Sequence, residues 1–159
     1  MAFALIPYAY GLDFDPELEM EIELREMTGL AGDLISWSTD VYAYNTSRPT
    51  SNFHNLVSVL SFSTNSPHPQ ESIDQIEALF AQTMNEFSEV KERVRELHDL
   101  DGFQGGMDVL DSPEVYVKGL EDCIAGFLHW SFETRRHFGA ERRKVKKRRV
   151  LRLLLAMFA

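Results

Sequence analysis

The sequence predicts an all-α fold, and three observations carry that prediction. Apolar residues recur at steps of three or four along almost every periodic segment. Period-two alternation between turn signals, the mark of a strand, is nearly absent. Stretches rich in Ser, Thr, Asn, Pro and Gly divide the chain into lengths suited to helices.

Residues Ala2 to Gly11 read as the end of a helix, closed by Gly11 and a turn at DFDP. Pro16 suits a first helical position, with acids clustered over the turns that follow. One long helix is expected from Leu18 to Asn45, because Leu24, Met27, Leu30, Leu34, Trp37, Val41 and Tyr44 keep helical spacing. TSRPTSNFH is a loop by composition, and a short helix is expected from Asn55 to about Phe62. After a second loop, STNSPHPQ, the clearest helix spans Glu71 to Leu100. Its stripe is Ile73, Ile76, Phe80, Met84, Phe87, Val90 and Val94. GFQGG ends it. Asp111, Ser112 and Pro113 start another helix that carries Val117, Leu120, Ile124 and Phe127 and continues to Phe138. Residues 140–159 form a basic final helix or tail, set apart from a body of residues 1–139.

At 159 residues the chain is long enough for one domain with a core. A charged share of 26% excludes a membrane class. One cysteine, Cys123, excludes a disulfide framework and a cysteine-built zinc site, and it fits a reducing compartment. The opening MAFALIPYAYGL lacks the basic segment of a signal peptide, and the apolar run Leu153 to Ala159 is too short to span a bilayer. A soluble, cytoplasmic protein is expected. Charge is unevenly spread: residues 1–134 carry 24 acidic and 6 basic side chains, and residues 135–159 carry 10 basic and one acidic. The basic end solvates a terminal helix and offsets the acidic body, and no nucleic-acid partner is expected of it.

Two segments carry chemistry. In the first, Thr39 to Ser47 reads TDVYAYNTS, preceded by DLISWS and followed by His54–Asn55. Positions i, i+4 and i+8 of a helix stay within roughly 80° of one another, so Thr39, Ala43 and Ser47 share a face. The second, GFLHWSFETRRHFG, spans Gly126 to Gly139. Together these segments resemble the C-terminal half of a class I terpene synthase, most closely the fungal sesquiterpene synthases. The resemblance covers essentially all of residues 1–155. It implies a partial class I terpenoid synthase helical bundle, a prenyl diphosphate substrate such as farnesyl diphosphate, and Mg2+-assisted loss of diphosphate.

The family's helical motif N-D-x-x-S-x-x-x-E holds one magnesium ion. Here its three ligand positions are Thr39, Ala43 and Ser47, so the metal motif is degenerate. Two hydroxyls and a methyl make a poor site for a hard cation, although Asp40 stands beside them as a substitute ligand. The second motif, G-N-L-x-W-S-x-x-T-x-R-Y, fits better: Gly126, Leu128, Trp130, Ser131, Thr134 and Arg136 are in register. Phe127 replaces its Asn, and His137 replaces its Tyr. The resemblance assigns diphosphate binding to Arg136, whose planar fork suits phosphate oxygens, and to His137. It offers Trp130 as an aromatic wall of the cavity, with Trp37 and Phe127 as weaker candidates. Plain core packing is the alternative for each of these rings.

The family's first metal motif, D-D-x-x-D, does not occur among the 38 residues before Thr39. Asp13 and Asp15 in a turn are the nearest match. The chain is therefore expected to be truncated relative to the family, with apolar faces left uncovered that drive self-association. A non-catalytic remnant with no turnover of its own is the alternative to an active cyclase. Histidine metal spacings, a P-loop, a dinucleotide fingerprint and a nucleophile elbow are all absent, and Cys123 reads as a packed residue.

Overall fold

A computed structural model describes residues 2–12, 18–47, 54–66, 68–100 and 113–150, and among them all regular structure is helical. A 3-10 turn, Ala2–Leu5, leads into α1 (Ile6–Tyr10). The longer helices are α2 (Leu18–Ser47), α4 (Pro69–Leu100) and α5 (Pro113–Glu133), with the short α3 (Leu56–Ser63) between the first two. After α5 come a 3-10 turn, Gly139–Glu141, and α6 (Arg142–Arg148). The expected turns at DFDP and GFQGG, the start at Pro16, most of TSRPTSNFH and the tail beyond Val150 lie outside the described residues.

Contacts divide the chain into two units, Met1–Leu34 with Gln82–Ala125, and Ile35–Ala81 with Gly126–Ala159. In the first unit the helical stripes read from the sequence are buried: Leu24, Met27 and Leu34 on α2, Phe87, Val90 and Val94 on α4, and Val117, Leu120 and Ile124 on α5. Gly11 closes α1 in the left-handed region, with φ 67°, as its position after the last periodic residue predicts. Polar bonds ring this core. Tyr10 Oη donates to Asp122 Oδ2 at 2.9 Å, Thr28 and Tyr116 share a hydroxyl bond at 3.0 Å, and Arg93 reaches Glu23 and Glu26.

In the second unit Tyr44, Val57 and Ile76 form one apolar cluster, with Trp37, Val41, Leu60 and Ile73 packed against it. Phe132, Phe138 and Val145 form another, covered by Tyr42. The basic segment thus contributes Val145 to an apolar cluster. Among the described residues no helix is long and apolar enough to cross a membrane. Among the described residues Tyr8 and Phe62 are the most exposed of the large apolar side chains.

Three expectations need correction. The helix expected to reach Phe138 ends at Glu133. A continued helix would place Phe138 about 120° around the axis from Phe132. The turn instead stacks the two rings at 5.1 Å and sets Tyr42 edge-on to both. Thr134 Oγ1 accepts from the Arg136 amide and Gly139 N–H reaches Arg135 O, so the turn's backbone stays partnered. Second, α4 begins at Pro69, whose ring suits the first helical position. Third, Met84 and Phe80 are not core. Ser72 and Thr83 are buried on α4 instead, Ser72 because its hydroxyl bonds that of Ser61 at 2.8 Å.

Candidate functional site

The last two turns of α2 hold the first group of predicted residues. Thr39 Oγ1 donates to Ile35 O at 2.8 Å, a bond internal to the helix. Ala43 is half-buried, and Ser47 is the last residue of α2, its side chain outside the described set. Asp40 has a different task. Its Oδ2 accepts from Leu56 N at 2.9 Å, and its carbonyl accepts from Asn55 Nδ2 at 2.6 Å. Asn55, outside α3 rather than its first residue, accepts from Val57 N at 3.0 Å. Together they satisfy two amides at the start of α3, where a carboxylate is also favoured by the helix dipole.

Those interactions decide how well this face suits a magnesium ion. The Ala43 side chain offers no oxygen, while the Thr39 hydroxyl and the Asp40 carboxylate, each in one hydrogen bond, keep lone pairs. Among the described residues no three His, Cys, Asp or Glu side chains stand together as a metal site. Among the described side chains those two donors, Thr39 and Asp40, are fewer than the several oxygens a hard divalent cation takes.

The turn after α5 collects the second group. Ser131 is fully buried and donates to Phe127 O at 2.8 Å. Trp130 is 46% exposed, with the Phe127 ring 6.1 Å away. Its indole meets the His137 ring edge-on at 6.2 Å. His137 is only 4% exposed, packs 6.1 Å from the Tyr42 ring, and leaves Nε2 without a hydrogen-bond partner. Arg136 is exposed, and among the described residues no carboxylate pairs with it. Trp130, in the last turn of α5, thus meets His137 in the turn that follows, where Arg136 is the residue before it, and the Tyr42 ring joins His137 to α2. Tyr42 lies about 60° around the helix from Thr39 and about 100° from Ala43. Its part in the site escaped sequence reading, because an aromatic flanked by candidate ligands carries no signal of its own.

Burial, and then the neighbouring Arg136 charge, hold the His137 imidazole below its ordinary value of 6.5. The unfolded chain therefore binds a proton that the folded chain refuses, so stability rises with pH. The contribution of His137 is complete above 6.5 and is lost as pH falls below it towards the depressed folded value. Urea midpoints measured from pH 8 down to pH 5 are expected to fall, and His137→Gln is expected to flatten that fall. An identical slope in both proteins would remove His137 as the cause.

Comparison with known proteins bears on the same two segments. The family model described as "Terpene synthase family 2, C-terminal metal binding" matches residues 1–86, a stretch that contains the Thr39–Ser47 helix. Sesquiterpene synthase Agr3 of Cyclocybe aegerita is 33% identical over 96% of this chain and 40% of its own length. Alpha-muurolene synthase of Coprinopsis cinerea is 33% identical over 96% of this chain and 34% of its own length. Sesquiterpene synthase 6 of Postia placenta is 32% identical over 96% of this chain and 42% of its own length. The chain spans about two-fifths of the length of the curated relatives it matches.

Proposed function

Because this chain belongs to the terpene synthase family, as the match of its first 86 residues establishes, we propose that it binds a prenyl diphosphate through the Arg136–His137 turn without ionising it. Farnesyl diphosphate is the candidate substrate, in keeping with the sesquiterpene synthases it resembles. The observation that carries this reading is the contrast between two groups of side chains. Arg136 keeps an uncommitted guanidinium beside a buried, unpartnered imidazole nitrogen. The Thr39–Ala43 face carries no carboxylate, and the neighbouring Asp40 is bonded to the start of α3 through one of its two carboxylate oxygens.

Phosphate oxygens accept hydrogen bonds in pairs from a planar guanidinium, so Arg136 alone supplies a directional grip. His137 Nε2 is buried, so it would donate a further bond to phosphate only where the turn opens to admit the ligand. Trp130 packs edge-on against the imidazole from one side. Magnesium, where bound by a family member, draws off the charge of the departing diphosphate. The residues here do not supply that ion's oxygens, and no step of the proposal depends on it.

The test is direct. Purified chain titrated with farnesyl diphosphate is expected to bind saturably, and Arg136→Gln to weaken binding about tenfold or more. Incubation with farnesyl diphosphate and Mg2+ should give no volatile hydrocarbon above a boiled control. A cyclic product would overturn the view that the chain does not turn over. Absent or Arg136-independent binding would remove the phosphate role.

A further inference from the structure

We propose that a cavity in the second unit, on the far side of α2 from Thr39 and Ala43, binds an aromatic carboxylate. It encloses about 430 Å³, within the usual range for small-molecule sites. Four of its lining residues, Val41, Tyr42, Tyr44 and Asn45, belong to α2. At 3.6 residues per turn they centre roughly 180° from the face of Thr39 and Ala43. The α2 lining thus centres away from the positions at which the family's metal motif would act, while Tyr42 and Phe138 also pack against His137.

Its walls are aromatic and its edge is cationic. Tyr42 stands edge-on to Phe132 at 5.3 Å and to Phe138 at 5.5 Å, so three aromatic rings border the cavity. Arg149 closes α6 in the left-handed region, with φ 55°, which a side chain bearing a β-carbon rarely adopts. Its guanidinium lies 5.4 Å from the centroid of the Phe132 ring, at the cavity edge. The neighbouring Lys144 and Lys146 are engaged by Glu141 and Glu133, whereas among the described residues no carboxylate pairs with Arg149. One planar cation matches one planar carboxylate, two hydrogen bonds at a time. A phosphate dianion would call for a second permanent cation, and Arg149 is the one Lys or Arg among the lining residues, with His68 the other basic side chain.

The test uses the full chain and three probes followed by amide NMR: 2-naphthoate, the neutral 2-naphthalenemethanol, and inorganic phosphate. 2-Naphthoate is expected to saturate and to shift the amides of residues 41–45 and 145–149. The neutral alcohol should bind about tenfold more weakly, and phosphate should not compete. Arg149→Gln should erase the preference for the carboxylate. Val145→Trp or Ile73→Phe, each filling the cavity from a different helix, should block both aromatic probes while circular dichroism stays unchanged. No saturable binding, equal affinity for acid and alcohol, competition by phosphate, or undiminished binding in a folded cavity-filling variant would each overturn the proposal.

Discussion

Leu120→Ala will cost about 2–5 kcal/mol of stability, read as a fall in the urea midpoint with little change in slope. Leu120 is fully buried, in the unit whose core also includes Met27 and Leu34, both at 0% exposure. Removing its branched side chain loses the transfer energy of the buried carbons and leaves a void that flanking helices fill only in part. A small domain has about 5–15 kcal/mol in all, so this one change would consume a large share. A loss below about 1 kcal/mol would mean that the core collapses readily around position 120 and is packed less tightly than its burial implies.

Gly119→Ala is the second large effect, and its sign is the informative part. Alanine is a better helix former than glycine by about 1 kcal/mol, so an open position in the middle of α5 would be stabilised. Position 119 is not open. A β-carbon there would collide with Cγ2 of the buried Ile6 and come within 3.3 Å of Cε2 of Tyr10. Overpacking of this kind costs about 1–3 kcal/mol, and the 2.4 Å approach puts it at the upper end, so the net change is destabilising by up to about 2 kcal/mol. Ile6→Ala removes the colliding methyl, and the double variant should lose less than the sum of the single ones. A more stable Gly119→Ala protein would show that α1 yields to the added carbon.

The long helices were legible because their signal is local. The spacing of Leu24, Met27 and Leu34, or of Phe87, Val90 and Val94, is a property of consecutive residues, and it matches the buried set. Gly11 as the end of α1 was readable for the same reason. What failed to be legible depends on partners distant in sequence. The break at Glu133 follows from Phe138 stacking on Phe132 beneath Tyr42, a residue some ninety positions earlier. The same limit applied to the candidate site. The register of Thr39, Ala43 and Ser47 was visible, but the engagement of Asp40 by Leu56 and Asn55 was not. Nor could the sequence reveal that His137 is buried with a nitrogen unpartnered, since its neighbours are mostly polar residues typical of a surface turn.

The bond from Leu56 to Asp40 separates two duties that the terpene synthase motif places side by side. The aspartate fastens the chain's return after α2, whatever its neighbours one and two turns along can or cannot coordinate. Thr39 and Ala43 take no part in those bonds, so side chains at their positions can differ from the family's without loosening the junction between the two helices.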